Sequence, residues 1–203
     1  MIERMADLVE HLERFLGPIE GGTHGDDSTP AGVQVISFGA DAPFTGITTW
    51  ATLGLSNHHL GQQSRGGLHQ ELVMHLPNAR QPVNTAGVLF QVAGELIERG
   101  RGLARGEVIG PRGRLFPKAE MTALVATTPV YLPDSFAVCD TPAAPVVLTW
   151  LVPLTEAEAQ FAQVHGWPAL EDIFVAQDPD LTDLGRTSVQ LRDVSYLQIS
   201  EES

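Results

Sequence analysis

Apolar residues recur every three or four positions at the start of the chain: Ile2, Met5, Leu8, Val9, Leu12, Phe15 and Leu16. That spacing puts them on one face of a helix over residues 2–16, and Gly17-Pro18 stops it. Residues 20–30, rich in Gly, Asp, Ser and Thr, predict a mobile loop. A short strand follows at 33–38. The next spans 47–55, with Ile47, Thr49, Ala51, Leu53 and Leu55 on one face and Thr48, Trp50 and Thr52 on the other. Both faces are apolar or β-prone, so helices are expected to cover both. After a polar loop at 57–67, residues 69–76 alternate. Leu72, Met74 and Leu76 share one face, and His69, Glu71, Val73 and His75 the other.

A second helix is predicted over 85–99, with Val88, Leu89, Val92, Leu96 and Ile97 inward, Asn84 as its N-cap and Gly100 just past its end. A glycine-rich loop covers 100–113. Strands are expected at 121–126, 135–138 and 146–152, the last almost wholly apolar and so buried on both faces. Thr155 and Glu158 have the spacing of a capping box and start a third helix that Gly166 closes. Pro168 starts a fourth, over 167–176. A last strand is expected near 188–194, then a loose tail over 195–203. Interleaved helices and strands predict a single α/β (α+β) domain, with a mixed central sheet flanked by helices on both faces.

The 203 residues and 43% hydrophobic content suit one domain with a sizeable core. The net charge of -13 would repel a phosphate backbone, so nucleic-acid binding is not expected; a basic protein partner is. The charge is uneven. Residues 99–118 hold six basic residues and one acidic, whereas residues 155–203 hold ten acidic and two basic. Cys139 is the only cysteine, so no intrachain disulfide can form. No apolar run reaches membrane-spanning length, and the acids of the N-terminus do not suit a signal peptide. A cytoplasmic protein with no membrane partner is expected.

The residues that could carry chemistry do not complete a site. Gly54-Leu55-Ser56-Asn57-His58 resembles a nucleophile elbow, but His58 stands where the sharp turn needs glycine. His58 and His59 are adjacent and would point apart on a strand. His69 and His75 share a face but lie about 20 Å apart along it. Neither His-Glu-x-x-His nor Cys-x-x-Cys occurs. Cys139 has no basic neighbour and reads as a core residue. The 100–113 loop lacks the Gly-Lys-Ser/Thr ending of a phosphate-binding loop. Glu171, Asp172, Asp178, Asp180 and Asp183 are spaced too irregularly for a calcium loop but could face a basic partner. No catalytic, metal or cofactor residue is assigned.

Six segments in order carry a resemblance. They are Thr52-Leu53-Gly54-Leu55-Ser56; Glu71-Leu72-Val73-Met74-His75-Leu76-Pro77; the helix 86–99; Gly106-Glu107-Val108-Ile109; residues 147–154 with Thr155-Glu156-Ala157-Glu158; and Asp183-Leu184-Gly185-Arg186-Thr187-Ser188. Over residues 31–190 the chain resembles the Suppressor of fused domain family in its bacterial single-domain form. The resemblance implies a non-catalytic protein-binding domain with no cofactor. The eukaryotic relative sequesters Gli-type transcription factors, and many bacterial relatives look like immunity proteins of polymorphic toxins. This chain is therefore expected to neutralise a protein partner, a basic toxin domain above all. His58, His59, Asp178, Asp180 and Asp183 are its candidate partner contacts. The alternative is a small hydrolase or metal-dependent enzyme built on Ser56, His58, His59, His69 or His75.

Overall fold

Three buried leucines one turn apart, Leu8, Leu12 and Leu16, anchor the first helix, α1 (Ile2–Leu16). Each contributes about 2 kcal/mol by leaving water. They pack on Ile36, Phe38, Ala51, Leu53, Val73 and Leu148, which belong to the face of a central sheet. In the computed structural model the described residues are 2–39, 43–61 and 68–191, with side chains from residue 5 onward.

The strands of that sheet are β1 (Ile19–Thr23), β2 (Gln34–Phe38), β3 (Ile47–Leu53), β4 (His69–Pro77), β5 (Val108–Ile109), β6 (Met121–Thr127), β7 (Val138–Cys139) and β8 (Val146–Thr155). Their order is β1-β2-β3-β4-β8-β6-β5, with β7 paired to the start of β8. Only β4 and β8 run parallel, in the register Val73↔Trp150; the other pairs are antiparallel. The β4–β8 pairing stops at Trp150. Pro153, which has no N–H to give, therefore sits where β8 pairs only with β6.

The remaining helices are α2 (Thr85–Arg99), α3 (Glu156–His165) and α4 (Trp167–Gln177). Leu72, Met74, Leu76, Leu124 and Leu151 turn toward α2. Alternate residues of β6 and β8, among them Val125, Trp150, Val152 and Leu154, turn toward α3 and α4. By the same alternation, Val146 and Leu148 share the α3–α4 face and pack against α1. So α2 covers one side of the mixed sheet, and α1, α3 and α4 cover the other, as the alternation predicts.

Several elements depart from expectation. Residues 19–23 form the edge strand β1, not the start of a mobile loop. The two glycines hid it, yet they suit it, because a side chain at Gly21 would meet Ser37 Oγ at 2.9 Å. Strand β3 ends at Leu53 instead of running to residue 55, because Gly54 takes φ 106 and turns the chain into a 3-10 turn over Leu55–Asn57. Residues 134–136 are a 3-10 turn, so only Val138–Cys139 pair there. The 100–113 loop contains β5. The strand expected at 188–194 is absent over 188–191, and its remainder lies outside the described residues, as do the expected tail at 195–203 and most of the 57–67 loop. Asn84 stands at the start of α2 but spends its side chain elsewhere: Nδ2 donates to the Leu115 carbonyl. The capping box at α3 forms as predicted, Thr155 Oγ1 accepting from Glu158 N–H and Glu158 Oε2 from Thr155 N–H.

Candidate functional site

The segment resembling a nucleophile elbow is built around a buried carboxylate. Glu71 projects from β4 to the turn that ends β3 and accepts from Thr52 Oγ1 (2.6 Å) and from the N–H groups of Gly54 (2.9 Å), Leu55 (3.3 Å) and Ser56 (2.9 Å). Thr52 Oγ1 accepts in turn from Leu72 N–H at 2.8 Å. Burial pushes the Glu71 carboxyl above its ordinary value, against the pull of Thr52, Ser56 and Gly54. Ser56 is buried, and its side chain also hydrogen-bonds Glu71. A serine held on a buried carboxylate serves the turn in this geometry.

The histidines are dispersed. His69 Nδ1 meets the Ser56 carbonyl at 2.7 Å, and half-buried His58 has Nε2 at 3.1 Å from the Ala31 carbonyl. His59 is exposed. Among the described residues no group of three or more His, Cys, Asp or Glu side chains could hold a metal ion. Cys139 is buried, and that burial, with the charges of Asp7 and Asp140, pushes its thiol up. A raised thiol is a poor nucleophile.

His75 is wholly buried, with Nδ1 2.8 Å from Thr49 Oγ1 and its ring against Phe44 and Trp150. Burial lowers its pKa to about 3, so it stays neutral in the fold. The unfolded chain protonates it near pH 6.5. His75 therefore costs nothing above that pH, and its penalty grows as pH falls from there toward 3. Between pH 6.5 and 5 this one group is expected to remove about 2 kcal/mol of stability. Urea unfolding of wild type and His75→Asn at both pH values checks it: the wild type should lose more on acidification by that amount, and parallel losses would exclude the effect.

The acidic C-terminal segment is organised by a residue that the sequence reading quoted in a motif but gave no role. Arg186 donates from Nη1 to Glu158 Oε1 (2.5 Å) and from Nη2 to Glu158 Oε2 (2.8 Å) and the Pro153 carbonyl (2.9 Å). Its guanidinium also lies 5.5 Å from the centre of the Phe174 ring. Glu158 takes a further bond from Val189 N–H at 3.1 Å. Burial alone would raise the Glu158 carboxyl, but the bond and charge of Arg186, with the Thr155 and Val189 N–H groups, hold it below its ordinary value. This staple fixes the 178–189 segment over α3 and β8.

Asp178 and Asp180 are exposed on that segment, and Asp183 is half-buried. Asp178 has φ 46 and closes α4. Asp180 Oδ1 accepts from Thr182 N–H and Oγ1, and Asp183 Oδ1 from Gly185 N–H. His58 and His59 are not brought to these carboxylates. They precede Leu60, which packs on the α2 side of the sheet, whereas Asp178 and Asp180 stand beside Leu181 on the α4 side; Leu184, next to Asp183, packs with the α2-side cluster. Between α4 and the sheet, beside Asp178, lies a cavity of about 210 Å³ with aromatic walls. Tyr131 lies against Trp150 (ring centres 4.9 Å apart) and Trp167 against Phe174 (6.0 Å). The sequence reading missed this cavity, because Tyr131, Trp150 and Trp167 sit in three separate elements and look like ordinary core residues.

The basic stretch 99–118 is largely neutralised where it stands. Arg99 and Arg112 pair with Glu95, Arg101 with Glu107, Arg105 with Glu171 and Arg114 with Glu120. These exposed pairs contribute little to stability, but they leave few free cations for an anionic ligand.

Known proteins share this architecture. Over 95% of this chain and all of the other (100%), the fold matches the crystal structure of a Suppressor of fused homolog from Neisseria gonorrhoeae FA 1090, with TM-score 0.75 and 17% identity. It also matches the Sufu–Fu complex structure (TM-score 0.67, 17% identity, 93% of this chain and 90% of the other). Drosophila Suppressor of Fused matches with TM-score 0.62 and 17% identity over 91% of this chain, which spans 49% of the fly protein. In sequence, the chain is 26% identical over 180 residues to the Bacillus subtilis (strain 168) protein named immunity protein YqcF, covering 88% of this chain and 92% of that one. A family model described as Suppressor of fused protein matches residues 29–187. The chain belongs to the Suppressor of fused protein family.

Proposed function

We propose that this chain is a stoichiometric binding protein that neutralises a toxin domain in the cytoplasm, without catalysis. The observation that carries the reading is the near end-to-end relationship to a protein named as an immunity protein, 88% of one chain against 92% of the other. The hydrogen bonds of Ser56 to Glu71, of His75 to Thr49 and of His58 to the Ala31 carbonyl are compatible with it. In this reading the carboxylates beside α4, Asp178 and Asp180 with Asp183, face a basic partner. His58 and His59, across the sheet, would form a separate and lesser contact.

The test begins with capture of the partner on immobilised chain from the native cell. The captured protein is expected to arrest growth when expressed alone in a second host and to be harmless with this chain present. Recovery of nothing at high loading, or arrest that the chain does not relieve, would reject immunity. With that partner in hand, Asp178→Asn with Asp180→Asn should slow association roughly tenfold at low ionic strength and much less at high salt. Asparagine keeps the Oδ1 acceptor that Thr182 uses at Asp180 and tolerates the left-handed backbone of Asp178, so an unchanged rate would place the interface elsewhere.

A further inference from the structure

The cavity beside α4 brings together aromatic walls, three buried polar atoms and a carboxylate at its edge. Thr127 and Trp150, neighbours across β6 and β8, line it with Trp167. All three are more than nine-tenths buried, and the Thr127 hydroxyl and both indole N–H groups have no hydrogen-bond partner among the described residues. Groups buried that deeply are ordinarily satisfied, so three at one apolar cavity point to an occupant that carries an oxygen acceptor. The space, about 210 Å³, exceeds the roughly 150 Å³ that holds a benzene ring. At the rim, Val130, Tyr131 and Val175 are 60%, 40% and 79% exposed, an apolar collar suited to a macromolecular surface. Asp178 and Glu171 are at the same rim, Glu171 already holding Arg105.

The geometry points to a socket for a tyrosine of the partner protein, with a lysine or arginine close to it in the partner's sequence. This deepens the proposed binding role and rests on it. The ring fills the space between Trp150 and Phe174, the phenol oxygen accepts from the indole N–H groups, and the neighbouring cation meets Asp178. Tyrosine is a favoured anchor at interfaces because it combines large apolar area with a polar tip and little rotamer freedom.

Tyramine, p-cresol and toluene separate these contributions on the intact chain. The protein has three tryptophans, so a ¹⁵N spectrum resolves three indole signals. Tyramine is expected to move those of Trp150 and Trp167 and leave that of Trp50. Binding should weaken from tyramine to p-cresol to toluene, by roughly tenfold at the first step, as one charge contact implies. Asp178→Asn should abolish the tyramine advantage and leave p-cresol unchanged; the residue tolerates its left-handed backbone as asparagine. No movement of either indole at tens of millimolar tyramine overturns the socket, which is then filled by water. Equal binding of toluene and p-cresol overturns the acceptor, and equal binding of tyramine and p-cresol overturns the cation. Submicromolar tyramine affinity would mark a small-molecule site and overturn the partner's tyrosine. None of these readouts involves the toxin, so failure of the socket and failure of immunity remain distinguishable.

Discussion

Arg186→Ala is expected to lower the unfolding free energy by about 3–5 kcal/mol, the range for breaking a buried ion pair from one side. The Arg186 side chain is 7% exposed and that of Glu158 0%. Removing the guanidinium strands a carboxylate in the core and leaves the Pro153 carbonyl without its donor. Glu158 also closes the capping box of α3 and holds Val189 N–H, so the damage reaches a helix start and the segment after α4. The acid limb follows with the same sign. Glu158 is held below its ordinary value, so the pair stabilises the fold above the unfolded carboxylate pKa of 4.5 and is lost as pH falls below it. Urea unfolding at pH 7 gives the magnitude. The double variant Glu158→Met/Arg186→Leu should recover only the part due to the stranded charge, since Thr155 N–H, Val189 N–H and the Pro153 carbonyl all stay without partners. A loss under about 1 kcal/mol in the single variant would show that the pair is hydrated and contributes as surface pairs do.

That pair also illustrates what the sequence could disclose. Thr155 and Glu158 three residues apart announce a capping box by local geometry alone, and the box is there. The second role of Glu158, as partner of Arg186 twenty-eight positions on, has no local signature, because a bond across the fold leaves no periodicity. The same division runs through the molecule. Alternation placed Leu72, Met74 and Leu76 on one face of β4 and Val73 and His75 on the other, since a period of two is fixed by the strand itself. The edge strand β1 escaped because Gly21 and Gly22 carry no side chain to alternate. Ser56 and His75 drew attention as chemistry because composition shows only which polar groups exist. Whether each is spent on a neighbour is set by tertiary packing, which gave Ser56 to Glu71 and His75 to Thr49. The aromatic cavity needed three elements brought together and could only be seen in the fold.

Glu71→Ala is the second large loss expected, about 3–6 kcal/mol. One carboxylate here serves five donors: the Thr52 and Ser56 hydroxyls and the N–H groups of Gly54, Leu55 and Ser56. A buried donor left without an acceptor costs about 1–3 kcal/mol, and the missing side chain adds a cavity beside Leu53 and Leu55 unless the turn relaxes to water. Glu71→Gln separates the two contributions. It keeps the volume but turns an NH₂ toward N–H donors, so about 2 kcal/mol or more of loss should remain from mismatched hydrogen bonding alone. Amide exchange locates the damage. Protection should fall at residues 54–56 well before it falls along β8, because the carboxylate holds the turn at the end of β3 and not the parallel pair at the centre of the sheet. Tyramine binding beside α4 should survive in Glu71→Gln, since Glu71 is not among the residues lining that cavity. If Glu71→Gln unfolds at the wild-type urea midpoint with amides 54–56 still protected, the turn is held by its glycine geometry, and the carboxylate is dispensable.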